Sequence, residues 1–275
     1  MDKKIDLTNE ELEKLAFFLQ KKIGICLEST KLLRFKRKIE DIIYKYKLEN
    51  FSTFYHQLRF ACNEALIQDL INAVTVNETY FWREYEQFLT LVKEVLPLYI
   101  QRSGIAKVRI LVSPCSSGEE LYSIMLAILE EKDLIDNLNI EMIGIDVDST
   151  MIEKAKRALY SKRSVDKIPK SMLEKYFTQV GNFYQLDPAI TKSARFLQAN
   201  IFDETLVTKL GTFDILFSRN MLIYFNKEDK QRCYEIFHKL LKNNSYLFLG
   251  HADANEIDKK LFSPVKYGFH LFKRI

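Results

Sequence analysis

Small and acidic side chains follow a short apolar stretch near the middle of the chain. Val108–Val112 has the pattern of a buried strand, Ser113–Gly118 is a loop of small residues, and Glu119 and Glu120 then open a helical pattern. A strand that turns through small residues into a helix lets the backbone approach a ligand closely. The segment lacks the three glycines of a dinucleotide fingerprint and the Gly-Lys-Ser/Thr of a phosphate loop. It predicts a ligand site without a phosphate cradle, and an ordinary strand–loop–helix corner is the alternative.

The two acids restrict the chemistry of such a ligand. Carboxylates at a helix start would repel a pyrophosphate, yet they could accept hydrogen bonds from a neutral or cationic nucleoside. S-adenosylmethionine is the obvious candidate for a cofactor of this kind. Glu119 has the simpler interpretation of a favourable charge at the N-terminus of the helix.

Polar side chains also follow three further strand patterns. Asp146, with Asp148 close behind, comes after the second strand, Asn200 after the third, and Arg219 with Asn220 after the fourth. Ligands of open parallel sheets bind at the carboxyl ends of the strands, and an acid placed like Asp146 can bind a ribose diol. Each residue alone could be a cap or turn residue. Four strand ends that all supply polar groups favour a shared site.

Two aromatic segments carry further polar residues. Residues 75–83 contain three consecutive aromatics between polar side chains. Residues 219–225 place an apolar stretch between a polar pair and a Tyr-Phe pair. The simple interpretations are a helix start with its aromatics in the core and a buried loop that covers the sheet.

The pattern after residue 107 predicts the sheet that would position these residues. Short apolar runs alternate with helical patterns, which indicates a mostly parallel, doubly wound α/β sheet with helices on both faces. The last two runs have little helix between them, so an antiparallel edge pairing is expected. Two short runs flank Gly181-Asn182 and predict a hairpin, within a small β subdomain inserted at about 174–198. The predicted strands are 108–112, 140–145, 194–198, 213–217, 245–249 and 268–272, and the predicted helices are 118–131, 149–159 and 228–242.

The first 76 residues predict helices only. Thr8 and Glu11 form a capping-box pattern, and Gly24 can end the helix that they begin. A second helix is expected at 30–47, where isoleucines recur at core spacing and bases outnumber acids. The expected organisation is an all-helical N-terminal domain (1–76), a linker and helix that contribute to the cofactor site (77–107), and an α/β domain (108–275).

Composition limits the class of protein. The 275 residues are 47% hydrophobic and 28% charged, as in soluble globular proteins, and the net charge of +4 does not call for nucleic acid. The four cysteines and four histidines are dispersed, so no metal site is expected. The sequence has no signal core and no apolar run of membrane length, which predicts a cytoplasmic protein with reduced thiols.

Four motifs in register resemble those of the chemotaxis receptor methyltransferase (CheR-type) family. The family pattern N-x-T-x-F-aromatic-R is matched at 77–83, and the loop S-T-G-E-E-P-Y-S is matched at 116–123. The pattern D-I-D is matched at 146–148, and R-N-x-x-I-Y-F at 219–225. Their order and spacing agree with the family from about residue 10 to the end of the chain.

The resemblance implies a Rossmann-like methyltransferase domain at 108–275 and transfer of a methyl group from S-adenosylmethionine to receptor glutamates, with S-adenosylhomocysteine as the product. Arg83 and Tyr224 would face the transferred methyl group and the incoming carboxylate. The cofactor contacts implied by the resemblance are Asn77, Thr79, Arg83, Glu120, Asp146, Asn200, Ile201, Arg219 and Asn220.

The chain departs from the family pattern at four places. Pro114 stands where a small residue is usual, Ser117 replaces threonine, and Leu121 replaces proline. His251-Ala-Asp253 stands where the family often has His-Ser-Glu. The first and last departures put local loop contacts in doubt, and none removes a residue assigned to cofactor or chemistry.

A glutamate acceptor suits these residue types. A glutamate carboxylate has a reference pKa of about 4.3, so it is already a nucleophile at neutral pH and needs no general base. The planar guanidinium of Arg83 can bind this carboxylate. A strong salt bridge in the ground state would raise the activation barrier to methyl transfer, because the carboxylate loses charge in the transition state. Two alternatives stay open: a cofactor-binding module that docks on receptors without transferring methyl, and a methyltransferase with another acceptor.

The basic residues of the predicted 30–47 helix have three interpretations. The simplest is a solvated face, and the second is docking of Arg34, Arg37 and Lys38 on acidic helices of receptor cytoplasmic domains. Nucleic acid ranks last without a wider basic patch, and no direct membrane insertion is expected. The protein is expected to be a monomer that is recruited to membrane receptor arrays. The short stretch between Phe177 and Phe196 favours no tether to a receptor C-terminus.

Overall fold

Five helices come first along the chain. The computed structural model of the protein describes residues 5–101, 107–131, 138–266, 268 and 270–275. Both predicted ends of the first helix are confirmed: Thr8 and Glu11 exchange the two hydrogen bonds of a capping box, and Gly24 ends the helix with a φ of +74°. The five helices are α1 (Asn9–Ile23), α2 (Ser29–Leu32), α3 (Lys36–Lys45), α4 (Phe51–Arg59) and α5 (Glu64–Val74).

The single helix expected at 30–47 is wrong, because a turn at residues 33–35 separates α2 from α3. The amides of Arg34 and Phe35 donate to carbonyls three residues back, at 3.2 and 2.8 Å, as in a 3₁₀ turn. Residues three apart line up in such a turn. Leu32 and Phe35 therefore both pack against the core of the helical region, and this placement is the physical reason for the break.

Ten strands form two sheets in the part of the chain that the structure describes. They are β1 (Lys107–Val112), β2 (Asn139–Asp146), β3 (Leu159–Ser161), β4 (Phe177–Val180), β5 (Phe183–Leu186), β6 (Ala194–Gln198), β7 (Phe213–Ser218), β8 (Leu241–Leu249), β9 (Phe262–Pro264) and β10 (Leu271–Arg274). The large sheet has the order β6-β2-β1-β7-β8-β10-β9. Its first five strands are mutually parallel, while β10 is antiparallel to both β8 and β9. The prediction of a mostly parallel sheet is confirmed.

Helices cover both faces of the large sheet. Ile110 of β1 packs in one apolar cluster with side chains of the helix at 119–130, and the next residue, Leu111, packs in a second cluster with the helix at 227–240. Within the described residues, no helix is long and apolar enough to cross a membrane. The helices are α6 (Glu86–Thr90), a π-helical turn (Leu91–Val95), α7 (Leu96–Gln101), α8 (Glu119–Glu130), α9 (Ser149–Arg157), α10 (Lys162–Val165), α11 (Lys170–Tyr176), α12 (Pro188–Thr191), α13 (Leu206–Leu210) and α14 (Lys227–Leu240), with 3₁₀ helices at Leu222–Tyr224 and Ala254–Glu256.

The end of the large sheet differs from the expectation. The antiparallel pairing of the last two predicted strands is confirmed as β8 with β10, but β10 does not lie at the edge. The edge strand is β9, whose three residues are too few to show an apolar period in the sequence. The last predicted strand, 268–272, is shifted to Leu271–Arg274, and its residue 269 lies outside the described residues.

The small sheet has the order β3-β5-β4 and is antiparallel throughout. Val180 pairs with Phe183 across Gly181-Asn182, which confirms the predicted hairpin. The expected limits of the insertion, 174–198, need correction. The strand β3 begins the small sheet earlier in the chain, and residues 194–198 form β6 of the large sheet. The division into three domains at 76/77 and 107/108 stays a prediction.

Candidate functional site

One cleft opens where the parallel strands end, between the large sheet and the N-terminal helices. It encloses about 1100 Å³, counting the part that is open to solvent. The structure brings all the sequence-predicted cofactor and catalytic residues together around this cleft. Those lining residues are Asn77, Thr79, Arg83, Glu120, Asp146, Asn200, Ile201, Arg219, Asn220 and Tyr224.

The carboxylate of Asp146 holds the small-residue loop in place. It lies at the end of β2, is 5% exposed, and accepts hydrogen bonds from the amides of Ser116 at 2.8 Å and Asp148 at 2.9 Å. Burial raises the pKa of Asp146 to about 6. Ser116 has a φ of +45°, and its buried hydroxyl has no partner within the described residues. The loop thus presents a polar group to the cleft that the protein itself does not satisfy.

Asp148 joins the 75–77 segment to the end of β2. Its Oδ2 accepts from Thr75 Oγ1 at 2.6 Å and from Asn77 Nδ2 at 2.8 Å, while its Oδ1 caps α9. Burial alone would raise the pKa of Asp148, but hydrogen bonds from Thr150, Thr75 and Asn77 outweigh it and lower the pKa. The amide nitrogen of Asn77 is therefore committed to Asp148. A positioning role for Asp148 was not predicted, although the D-x-D pattern contained it.

The partly buried Glu120 and the buried Arg219 form a pair of opposite charges whose hydrogen-bonding capacity is largely unused. The Arg219 side chain is fully buried, and its Nη1 lies 3.7 Å from Glu120 Oε2. Within the described residues, Glu120 Oε1 and the Nε and Nη1 of Arg219 have no hydrogen-bond partner. Burial raises the pKa of Glu120 against the opposing effect of Arg219. Buried polar atoms are normally satisfied, so these atoms indicate a ligand with both a donor and an acceptor.

Arg219 also fixes the neighbouring segment that carries Arg83. Its Nη2 donates to the backbone carbonyl of Arg83, and the same nitrogen lies 3.7 Å from Glu84 Oε2. The guanidinium carbon lies 5.1 Å from the centroid of the Phe88 ring. One buried cation therefore couples the 83–88 turn to the end of β7.

Arg83 and Tyr224 come from two different segments of the chain that both line the cleft. Arg83 Nη1 donates to the Glu78 carbonyl at 2.9 Å, and its guanidinium carbon lies 5.8 Å from the Tyr80 ring centroid. Burial raises the pKa of Tyr224, with Arg83 opposing the rise, so the phenol stays protonated at neutral pH. The simple interpretation of 75–83 as a helix start is wrong, because α6 begins at Glu86, but Phe81 is buried and Trp82 packs against the core as that interpretation expected. Trp82 has a φ of +65°, since the chain turns there to bury Phe81 and leave Arg83 at the cleft.

Asp253 holds the loop that carries Asn220 and Tyr224. Its Oδ1 accepts from the amide of Ile223 at 3.1 Å. Burial raises the pKa of Asp253 to about 6, against backbone hydrogen bonds from Asn220 and Ile223. The His251-Ala-Asp253 departure therefore keeps a carboxylate that contacts this loop.

The N-terminal helices close one side of the cleft. Asn200 Nδ2 donates to the Lys22 carbonyl at 2.7 Å, and Asn200 Oδ1 accepts from Phe202 N at 3.0 Å. The amide of Cys26 donates to the Tyr224 carbonyl at 2.8 Å. Ile201 is buried and lines the cleft. Three apolar residues at and just after the end of α1 also line it. The sequence did not single them out, because apolar residues at such positions do not indicate which part of the chain they will contact. These three are Ile23, Ile25 and Leu27.

Glu119 lies in the first turn of α8, as predicted, and also makes contacts that the sequence did not predict. It is 4% exposed and accepts hydrogen bonds from Ser164 Oγ at 2.9 Å and Ser117 Oγ at 2.7 Å. The carbonyl of Ser164 in turn accepts from the amide of Phe81 at 2.9 Å. Glu119 thus ties α10 to both the small-residue loop and the 77–83 segment.

The cleft presents groups that can bind and orient a ligand. Among the described residues, no three His, Cys, Asp or Glu side chains are grouped so that they could hold a metal ion. Cys115 lines the cleft, but burial raises the pKa of its thiol well above the ordinary value, so it stays protonated. The cleft is lined by the oppositely charged pair Glu120 and Arg219, by a loop of small residues, and by Arg83 and the neutral phenol of Tyr224.

Comparisons with known proteins agree with this geometry. A family model described as CheR methyltransferase, SAM binding domain, matches residues 77–268. The chain is 36% identical over 264 residues to chemotaxis protein methyltransferase 2 of Vibrio cholerae, covering 96% of this chain and 92% of that protein. It is 35% identical over 268 residues to the chemotaxis protein methyltransferase of Campylobacter jejuni, with 96% and 97% covered. It is 27% identical over 263 residues to that of Borreliella burgdorferi, with 94% and 92% covered.

Proposed function

The chain belongs to the CheR methyltransferase family, with S-adenosylmethionine as its cofactor, and we propose that it methylates glutamate side chains of chemotaxis receptors, forming methyl esters for sensory adaptation. One observation carries the proposal. Arg83 and Tyr224 line the same cleft as the incompletely paired Glu120 and Arg219, so acceptor and cofactor groups converge. Cytoplasmic domains of receptors at membrane arrays are the proposed partners, and the proposed acting form is a monomer.

The residues of the cleft fit S-adenosylmethionine. Its amino acid group carries an ammonium, which would satisfy Glu120 Oε1, and a carboxylate, which would satisfy Arg219 Nε and Nη1. Asp146 would hold the ribose hydroxyls, since a carboxylate at this strand end suits a diol. Asn77, Thr79, Asn200, Ile201 and Asn220 would complete the proposed contacts.

The proposed chemistry requires no proton transfer. When bound, the cofactor supplies a methyl group on a sulfonium, which transfers to a carboxylate oxygen as the carbon–sulfur bond breaks. Arg83 would orient the acceptor carboxylate, and Tyr224, whose phenol is neutral, would donate one hydrogen bond to it. The contribution of the protein is then proximity and alignment.

Two neighbouring groups would weaken the interaction of Arg83 with an acceptor carboxylate. Its Nη1 already donates to the Glu78 carbonyl, and the guanidinium faces the ring of Tyr80. A partly satisfied guanidinium holds an incoming carboxylate less tightly than a free one. This suits a reaction in which the carboxylate loses its charge, because tight ground-state binding would raise the barrier.

Exposed bases of the N-terminal helices are the proposed docking residues for an acidic acceptor. Arg34 lies in the turn between α2 and α3, and Arg37 and Lys38 lie in the first turn of α3. All three are exposed. Charge of this kind at the rim of an interface raises association rates and makes binding salt-dependent.

Methyl transfer from labelled S-adenosylmethionine to purified receptor cytoplasmic fragments tests the proposal. The expected product is base-labile, as a carboxyl methyl ester is, and disappears when the target glutamates are replaced by alanine. Cofactor binding without any label transfer would instead indicate a non-catalytic docking module. Label that survives base, or that stays when the glutamates are gone, would indicate another acceptor.

A further inference from the structure

A second group of exposed bases lies beside Arg83, away from α2 and α3. We name it the basic ridge: Lys162, Arg163, Lys167 and Lys170, with Asp166 as the one acid in this span. All four bases are exposed. Within the described residues, Lys162 and Lys167 make no ion pair, and the ion pair of Lys170 with Glu174 is a long 3.6 Å contact between exposed groups. Asp166, the Glu174 paired with Lys170 and the Glu78 paired with Arg163 neutralise part of this charge, and the four bases leave the ridge with a net positive charge.

The ridge is built on buried anchors. Val165 and Ile168 are 2% and 6% exposed and belong to the core on one face of the large sheet. The Ser164 hydroxyl is bound to buried Glu119, and its carbonyl accepts from Phe81. These anchors fix the backbone from which the four bases project, so the ridge backbone keeps a set position relative to the 77–83 segment.

Two residues of the cleft wall connect the ridge directly to Arg83. The Glu78 carbonyl accepts from Arg83 Nη1, while its carboxylate accepts from Arg163 Nη2 at 3.4 Å. The ring of Tyr80 lies 5.8 Å from the Arg83 guanidinium carbon and 5.8 Å from Lys167 Nζ. Glu78 and Tyr80 both line the cleft. The ridge therefore continues the rim of the cleft outward from the proposed acceptor site.

From this continuity we infer that the basic ridge binds carboxylates that flank the methylated glutamate on an acidic helical acceptor. The inference rests on the proposed function and names a second docking surface for that acceptor. Two cations share the Tyr80 ring, and a single carboxylate faces Arg163, so further negative charge is favourable there. The ridge would thereby select glutamates that lie in acidic surroundings.

A charge-reversal variant tests the ridge: Arg163→Glu, Lys167→Glu and Lys170→Glu together, in the full chain. At low ionic strength we expect the Kd for a fluorescent, glutamate-rich receptor helix fragment and the KM of methyl transfer to rise about tenfold. The turnover number and the cofactor Kd should change less than about twofold, and high salt should remove the difference.

The matched control reverses the same amount of charge elsewhere, by Lys192→Glu, Arg195→Glu and Lys239→Glu. These residues are exposed and do not line the cleft. The ridge inference is overturned if the ridge variant binds the fragment as tightly as the wild type does, or weakens binding no more than the control. Fragment binding that depends on the ridge, without any methyl transfer, would leave the ridge standing and reject the proposed function.

Discussion

At the residue scale, the buried guanidinium of Arg219 shows how a candidate ligand site can keep hydrogen-bond donors unsatisfied within the protein. Its contacts with Glu120 and Glu84 are both 3.7 Å long, and two of its nitrogens have no hydrogen-bond partner within the described residues. A buried ion pair without good hydrogen bonds does little for stability, because desolvation offsets the attraction. A ligand that binds these unsatisfied atoms would bind the folded chain and not the unfolded chain. Cofactor binding should therefore raise the free energy of unfolding of the whole chain.

The roles of Arg83 and Tyr224 can be separated from cofactor binding. We expect Arg83→Ala to lower the turnover number about 100-fold and Tyr224→Phe about 10-fold, because each removes a group that aligns the acceptor. The cofactor Kd should rise less than about fivefold in both, since Glu120 and Arg219 remain. Arg195→Ala, an exposed arginine outside the cleft, is the control. Steady-state kinetics and titration calorimetry measure the two quantities, and unchanged turnover in both variants would reject the assignment.

Burial of Asp253 predicts a specific dependence of stability on pH. Its pKa is raised from 3.8 to about 6, so the folded chain holds the proton more tightly than the unfolded chain does. The folded state is therefore stabilised at low pH by this group, and that contribution is lost as pH rises from about 4 to about 6. Asp253→Asn removes the effect. Relative to the wild type, the variant should gain roughly 2 to 3 kcal/mol across that window and then stay level.

Urea unfolding at several pH values between 4 and 8 checks this expectation. The comparison uses the change in the difference between the two proteins, so any constant cost of the amide cancels. If the difference in free energy of unfolding between the two proteins does not depend on pH, the pKa of Asp253 is the same in the folded and unfolded chains, and the expectation is rejected.

The sequence predicted which candidate residues would lie together, but not their contacts. These candidates line one cleft, because the carboxyl ends of parallel strands lie at the same edge of a sheet. Their roles in cofactor binding and catalysis stay predictions. They did not show that Asp148 binds Asn77, or that Glu119 binds Ser164. These two contacts join residues that are 71 and 45 positions apart in the chain. A local sequence pattern does not indicate such a distant hydrogen-bond partner.

At the element scale, prediction succeeded where apolar periodicity was long and failed where elements were short or tertiary packing decided. The long strands and the helices α8, α9 and α14 were found within a few residues. The strands β3 and β9 have three residues each and were missed. The break between α2 and α3 was missed because a continuous helical period fits the isoleucines of α3 equally well.

The end of α1 is an element whose geometry is set by one glycine. Gly24 has a φ of +74°, and a Cβ there would lie 2.1 Å from Cε2 of the buried Phe202 ring. We expect Gly24→Ala to lower the free energy of unfolding by about 3 kcal/mol, from backbone strain together with overpacking. Gly181→Ala is the matched control, since it has a φ of +59° but no atom within 4 Å of its Cβ.

The control should cost only about 1 kcal/mol, the strain of the left-handed backbone alone. Denaturant unfolding of both variants gives the comparison. Equal losses at the two positions would mean that the contact with Phe202 is relieved without cost.

At the scale of the whole molecule, the helical region and the sheet form one site between them. Residues 20–28 connect two apolar cores, because Ile25 packs against the helical core and against one core of the large sheet. Gln68 Nε2 donates to the Val147 carbonyl at 2.9 Å, and Asn72 Nδ2 donates to Ser149 Oγ at 2.9 Å, so the junction extends along α5. The family model, in contrast, matches only residues 77–268. The cofactor cleft is therefore completed by a part of the chain outside that match.

Shortening Ile25 tests whether this junction belongs to the cofactor site. Ile25 is partly buried and lines the cleft, so Ile25→Ala removes apolar surface that the cofactor would cover. We expect the cofactor Kd to rise about tenfold, as the loss of a partly buried isoleucine contact implies. Ile5→Ala is the matched control, because Ile5 is also partly buried and packs, among the described residues, against the helical core and not against the cores of the large sheet. It should lower stability to a similar extent without changing the cofactor Kd.

Hydrogen exchange adds an independent measurement: cofactor binding should slow exchange at residues 23–28 in the wild type and less so in Ile25→Ala. If both isoleucine variants bind the cofactor like the wild type, the N-terminal helices cover the cleft without contributing to binding, and their role is limited to the acceptor.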